Sequence, residues 1–143
     1  MTDFTDLLSR FARAVTANDG AAFAALFTED GVYDILNTEY RGPADIVRYL
    51  RTALSAWERT SHHASNALVD VDGDTARVSA SLYAYHAGGE TVWHFWGRYT
   101  QRLVRRGDGW AIAHMALIGI ASDPPGDPAQ FTGHPDRRPV EAP

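Results

Sequence analysis

The chain reads as an α+β domain in which three helical segments come first and a meander of long strands follows. Three observations carry this reading. Apolar residues recur at three- and four-residue spacing in the first part of the chain, apolar and polar residues alternate over long stretches after it, and glycine-containing turn signals separate those stretches. Helices gathered ahead of the strands argue for an antiparallel sheet with the helices packed on one face.

The elements follow in order. Phe4, Leu7, Leu8, Phe11, Ala12 and Val15 make one helical stripe, with Thr2 or Thr5 as its cap. Asn18-Asp19-Gly20 stops that helix, and Ala21–Phe27 resumes it with Phe23, Leu26 and Phe27 apolar. Glu29-Asp30-Gly31 is a turn, and Val32–Leu36 reads as a short strand. Arg41-Gly42-Pro43 opens the third helix, with proline in the first turn, where its missing N–H costs nothing. Ile46, Val47, Tyr49, Leu50 and Leu54 supply its stripe, and its end is expected near Trp57–Thr60. Long strands are expected over His63–Val71, Thr75–His86, Thr91–Val104 and Trp110–Ile120. Asp72-Gly73-Asp74, Ala87-Gly88-Gly89 and Arg106-Gly107-Asp108-Gly109 turn the chain between them. Residues 1–121 are expected to form one domain. Residues 122–143, which hold six of the seven prolines, read as an irregular tail.

Composition excludes several function classes. A chain of 143 residues fits one domain and buries a core without covalent staples. With no cysteine, disulfides, thiolate catalysis and Cys-based metal sites are ruled out. The net charge is -5, and Arg105-Arg106 and Arg137-Arg138 are the only adjacent basic pairs, so nucleic acid is not an expected partner. The acidic N-terminus lacks the pattern of a signal peptide, and no apolar run approaches the roughly 18 residues of a membrane span. A cytoplasmic protein without a membrane partner is expected. Neither a dinucleotide fingerprint, a P-loop nor a nucleophile elbow occurs. The adjacent His62 and His63 face opposite ways on a strand, and no His-x-His or His-Glu-x-x-His is present, so neither a metal nor an organic cofactor is expected.

Alternation predicts a pocket. Val78, Ala80, Leu82, Ala84 and His86 share the more apolar face of the second long strand, the face expected to meet the helices. Arg77, Ser79, Ser81, Tyr83 and Tyr85 take the other. In the third, Trp93, Phe95, Gly97 and Tyr99 oppose His94, Trp96 and Arg98. Counting back from Val71 through Val69, Ala67 and Ser65 places His63 on a mostly apolar face as well. Small residues such as Ala64, Ala80, Ala84 and Gly97 leave space that aromatics can line, which suits a small organic ligand.

Several short segments then match a known family in order. They are Ala25-Leu26-Phe27-Thr28-Glu29-Asp30-Gly31-Val32-Tyr33-Asp34, Gly42-Pro43, His62-His63-Ala64-Ser65-Asn66, Val71-Asp72-Gly73-Asp74-Thr75-Ala76, and Gly97-Arg98-Tyr99 through Asp108-Gly109-Trp110. This series, over roughly residues 4–121, resembles the SnoaL-like family of the nuclear transport factor 2-like superfamily. The resemblance implies a cone-shaped α+β barrel, three N-terminal helices on a strongly curved, mostly antiparallel sheet, and a homodimer through the sheet. The superfamily includes scytalone dehydratases, ketosteroid isomerases and polyketide cyclases, and the fold does not choose among them. Likeness to scytalone dehydratase puts its two pocket histidines at His63 and His86. Its orienting aspartate falls at Thr16, which has no carboxylate, with Asp19 three residues on. Likeness to ketosteroid isomerase puts a base at Asp34.

These readings converge on candidate residues. Histidine titrates near neutrality and passes a proton either way, so His63 and His86 are candidate acid/base groups, with a hydrogen-bonded structural role as the alternative. Asp34 is a candidate second base if buried and a solvated carboxylate if not. Tyr33, Tyr49, Trp57, Phe95 and Tyr99 are candidate substrate-binding residues, with core packing as the alternative. The expected function is proton-transfer chemistry (dehydration, isomerisation or cyclisation) on a small apolar oxygenated molecule of polyketide or terpenoid type. A non-catalytic ligand-binding or dimerisation module of the same fold is the alternative.

Overall fold

The computed structural model describes residues 4–126. Helix α1, Phe4–Thr16, forms on the expected stripe and buries Leu7, Leu8, Phe11, Ala14 and Val15. Asn18 then takes a left-handed conformation (φ 52°), and the Asp19 carboxylate accepts a hydrogen bond from the Ala22 N–H at 3.0 Å. That contact caps the short α2, Gly20–Ala24, by satisfying one of the free amides of its first turn. Strand β1, Phe27–Ile35, starts earlier than the apolar pattern suggests. Phe27 pairs with Ile112, and the Ile112 N–H reaches the Leu26 carbonyl at 2.8 Å, so tertiary pairing claims residues expected to be helical.

A four-residue strand, β2 (Thr38–Arg41), was not foreseen. It is mostly exposed and carries no apolar alternation, so nothing in its composition announces a strand. Leu36 and Asn37, both at positive φ (49° and 69°), form the two-residue turn that sets its register on β1. Helix α3, Gly42–Leu54, has Pro43 in its first turn and buries Ile46, Leu50 and Leu54. It stops short of the expected Trp57–Thr60. Ser55 Oγ donates to the Thr52 carbonyl and the Trp57 N–H to the Leu54 carbonyl, a tightened last turn that closes the helix. None of the described helices is long and apolar enough to cross a membrane.

The remaining strands are β3 (Arg59–Asp72), β4 (Thr75–Gly88), β5 (Thr91–Arg106) and β6 (Gly109–Asp123). They complete a six-stranded sheet in the order β2-β1-β6-β5-β4-β3, antiparallel except for the β1–β6 pair. Because β6 runs to Asp123, the boundary expected at residue 121 falls inside a strand. The proline-rich tail beyond residue 126 lies outside the described residues.

Bulges bend this sheet. Ser65 pairs with Ser81 but Leu68 with Ser79, so β3 carries one extra residue there, with Asn66 at φ 54°. β6 carries an extra residue opposite Trp96/Gly97 and another opposite Arg102/Leu103. An unpaired extra residue bends its strand and increases the twist, which curls the sheet around the helices. The core lies in that concavity. Phe11 of α1 sits 4.9 Å from both Phe23 and Tyr99 between ring centroids, which ties α1, α2 and β5 together.

Gly97 stands where β5 and β6 leave no room for a side chain. A Cβ built there lies 2.9 Å from the Ile118 carbonyl oxygen, Leu117 Cδ1 and Phe95 Cε1. Because one of those contacts is backbone, the strand itself must move to admit a methyl group. Gly97→Ala is therefore expected to cost about 2–3 kcal/mol and lower Tm by roughly 5–10 °C. A melting curve that overlays the parent's would show that β5 and β6 do not approach so closely.

Candidate functional site

Between the helices and the concave face of the sheet lies a cavity of about 210 Å³. Each wall follows from strand parity or a helix stripe. β1 contributes Tyr33 and Ile35, α3 contributes Tyr49, Leu50, Ala53 and Leu54, and β4 contributes Leu82, Ala84 and His86. β5 adds Trp93, Phe95 and Tyr99, and β3 adds His62. Trp57, on the segment after α3, stacks almost parallel to Trp93 at 6.1 Å and lies 5.3 Å from the His86 ring. No lysine, arginine, aspartate or glutamate lines this cavity among the described residues.

The titratable groups are two imidazoles and three phenols. The His62 and His86 rings stand edge to face, 5.2 Å apart and 88° to each other. Each has a buried Nδ1 with no hydrogen-bond partner. Burial, with His86 and His63 nearby, pushes the His62 imidazole down to about 3. Burial also lowers His86, partly offset by its hydrogen bond to the Trp93 backbone. Both rings are thus held neutral at pH 7. Burial drives the Tyr33, Tyr49 and Tyr99 hydroxyls well above the usual phenol range, and Tyr33 and Tyr99 are hydrogen-bonded to each other. The cavity therefore presents neutral imidazoles and protonated phenols against aromatic walls. Such a set donates and accepts hydrogen bonds without carrying charge.

The placement of the sequence-derived candidates divides cleanly. His86, Tyr33, Tyr49, Trp57, Phe95 and Tyr99 all stand in the cavity wall. His63 does not, and the expectation that it faces inward is corrected. It pairs with Tyr83 on the outer face, packs 5.8 Å from that ring, and its Nε2 lies 2.9 Å from Ser61 Oγ. The cause is the bulge at Asn66: one extra residue reverses the parity counted back from Val71, so His62, opposite Ala84, takes the inward place. Asp34 is also outside. Adjacent strand residues point opposite ways, and Tyr33 holds the inward position. The convergence of His63, His86 and Asp34 on one cavity is thereby overturned.

His62 is the site residue that alternation alone missed. The available signal was Asn66, a residue type tolerant of the left-handed conformation that a bulge requires. Thr16 lies beside it: Thr16 Oγ1 accepts from the His62 backbone N–H at 3.0 Å, and Thr60 Oγ1 donates to the Thr16 carbonyl at 3.2 Å. No carboxylate of the described residues takes up the His62 ring.

Residues 1–116 match the model of a family described as SnoaL-like domain. A protein of unknown function from Mycobacterium tuberculosis superposes with a TM-score of 0.76 at 25% identity, over 82% of this chain and 69% of that one. A candidate scytalone dehydratase from Novosphingobium aromaticivorans gives a TM-score of 0.75 at 22% identity, over 82% of each chain. A hexachlorocyclohexane dehydrochlorinase (LinA, type 2) gives 0.75 at 18% identity, over 82% of this chain and 83% of that one. Other neighbours are described as having a cystatin-like fold. No curated protein matches by sequence.

Proposed function

The chain belongs to the SnoaL-like domain family, and from that premise we propose that its cavity is the active site of an acid/base enzyme for a small, neutral, oxygenated and largely apolar molecule. The observation that carries the proposal is the His62–His86 pair, edge to face inside a cavity that also holds three protonated phenols. A charged substrate group would find no counter-ion on these walls and would bear the cost of its desolvation alone. The stacked Trp57 and Trp93 suit a flat ring system at one end.

The chemistry is a proton transfer. A neutral imidazole takes the proton from a carbon next to a carbonyl, while tyrosine hydroxyls donate to the carbonyl oxygen as negative charge develops there. The imidazolium so formed stands in surroundings that disfavour charge and gives up its proton readily. Given to a hydroxyl on the neighbouring carbon, that proton lets the hydroxyl leave as water and a C=C bond remains. Given to a different carbon, it yields an isomer. Both outcomes balance without a redox partner. Two structural neighbours are named for eliminations, a dehydratase and a dehydrochlorinase. At their identities they argue for the fold alone, so the proposal rests on the residues.

Retention of ligand without turnover is the second reading, and one feature favours it. No carboxylate assists His62, and an imidazole at about 3 is a weak base. One measurement separates the two. Exchange of the α-protons of a flat bicyclic ketone such as 1-tetralone into D2O, followed by NMR, is expected to be catalysed and saturable. Saturable binding without exchange supports the retention reading and rejects catalysis.

The outer sheet face supports a homodimer. His63, Tyr83, Tyr85, His94 and Trp96 form a connected ring cluster on β3–β5, with Tyr83 Oη 2.8 Å from His94 Nδ1. Trp96 is 40% exposed and the nearby Val92 and Ile120 are 41% and 52% exposed, an apolar area whose cover by a second copy removes it from water. Sedimentation at micromolar concentration is expected to give a dimer, and Trp96→Glu a monomer. A monomer in both leaves this face without that role.

A further inference from the structure

We propose that Asp34, Glu39 and His114 form a binding site for a divalent transition-metal ion on the outer face of the sheet, separate from the cavity. Three neighbouring strands deliver the three donors. Asp34 on β1 and Glu39 on β2 are directly opposite in the antiparallel ladder. His114 on β6 is opposite Val32, two residues along β1 and on the same face as Asp34. One ligand atom from each residue lies within 4.8 Å of the other two. Donors sharing one ion at about 2.0–2.2 Å stand roughly 3–4 Å apart, so small side-chain rotations close the set.

The charges around the donors are mixed, with Arg102 directly opposite His114 on β5 and Arg41 paired with Glu39. Two carboxylates directly opposite across a ladder repel each other. Arg41 relieves Glu39 through one of its oxygens, Oε2, which leaves Oε1 available. Among the described residues Asp34 has no ion pair and no side-chain hydrogen bond. The two-residue turn Leu36-Asn37 pins Asp34 opposite Glu39, so the two acids are held together by backbone register. Rigid strands place donors more accurately than loops do.

The donor set selects the ion. Two carboxylate oxygens and one imidazole nitrogen, with no thiolate, suit Zn2+, Mn2+, Fe2+ or Co2+. Calcium prefers an all-oxygen shell and gains nothing from His114. Glu39 is exposed and Asp34 and His114 are half-buried, so water completes the coordination. A bound ion would tie the edge strand β2 to β6, in the interior of the sheet, through β1. The opposite face of β1 and its turn supplies Tyr33, Ile35 and Leu36 to the cavity wall, so the ion would stiffen that wall from behind.

The test uses the full chain, stripped with chelator and titrated calorimetrically with Zn2+, and separately with Co2+ read by its visible absorption. One ion per chain is expected, with a rise in Tm of about 5–10 °C at hundredfold excess over Kd. Asp34→Asn and His114→Ala should each weaken Zn2+ binding at least tenfold while melting, free of metal, within about 3 °C of the parent. A variant that melts lower is replaced by Glu39→Gln, whose exposed side chain contributes little to packing. Zn2+ uptake unchanged by these substitutions, Ca2+ binding as tightly as Zn2+, or a Co2+ spectrum without an imidazole contribution would each overturn the site. None of these readouts depends on turnover in the cavity, so failure here leaves the proton-transfer proposal standing, and the reverse holds as well.

Discussion

Replacing His62 by alanine is expected to lower ketone α-proton exchange by about 100-fold or more, the usual scale of lost general acid/base help. His63→Ala, one residue away, should leave the rate within about twofold. The contrast isolates cavity geometry, because the two residues share chemistry and sequence neighbourhood and differ only in the face they occupy. His62 stands 5.2 Å from His86 inside the cavity, and His63 packs on Tyr83 outside it. His86→Ala should also reduce exchange, whereas Tyr33→Phe should weaken it less, since Tyr49 and Tyr99 remain as donors. Equal rates for the parent and His62→Ala, with the variant folded and ketone still bound, would remove the imidazole from the chemistry.

The second large effect is on stability in mild acid. The His62 imidazole titrates near 3 in the fold but near the usual 6.5 once unfolded, so below pH 6.5 the unfolded chain holds more protons. Its contribution is fully present above pH 6.5 and is lost as pH falls from there toward 3. The slope for one such group is about 1.4 kcal/mol per pH unit. Because His62 is only partly enclosed, we expect roughly 1–3 kcal/mol to disappear between pH 6.5 and 4.5. His86 shifts in the same direction and adds to the loss. Denaturant titrations across that range should show the decline, and His62→Gln should flatten it by close to one proton. A parent and variant with parallel pH profiles would mean that His62 meets solvent more freely than its surroundings indicate.

What the sequence reveals, and what it conceals, depends on whether strand parity runs unbroken. β4 and β5 pair residue for residue along their whole shared length, so alternation assigns His86, Phe95 and Tyr99 to the concave face directly. In β3 a single extra residue at Asn66 intervenes between the apolar anchor Val69 and the histidines, and a count taken through it comes out reversed. Asp34 and Tyr33 illustrate the same constraint differently. As neighbours on one strand they cannot both face the cavity, and only packing against Phe23 and Tyr49 decides for the tyrosine. The strand β2 escaped notice because its pairing is supplied by a turn and a register rather than by apolar residues. The family's ordered motifs, by contrast, extend over most of the chain and survive such local slips, which is why the fold was legible before the site was.

The bulge at Asn66 has a consequence for how this cavity tolerates change. Two histidines stand in succession just ahead of it, and only their parity decides which one is enclosed. Loss of the bulge with every residue kept, so that Arg59–Ser65 slides by one along β4 while the Val69–Asp72 pairing stays, would turn His63 inward and send His62 to the surface. The cavity would keep an imidazole on that strand. A register slip of one residue is ordinarily ruinous in a strand that lines a site, because it exchanges every residue on one face for its neighbour. Here the doubled histidine makes the exchange nearly silent, so the lesion would be confined to the outer cluster around Tyr83. A one-residue slip of β3, fatal to the chemistry of most binding strands, would in this protein be felt first at the surface proposed to meet a second copy.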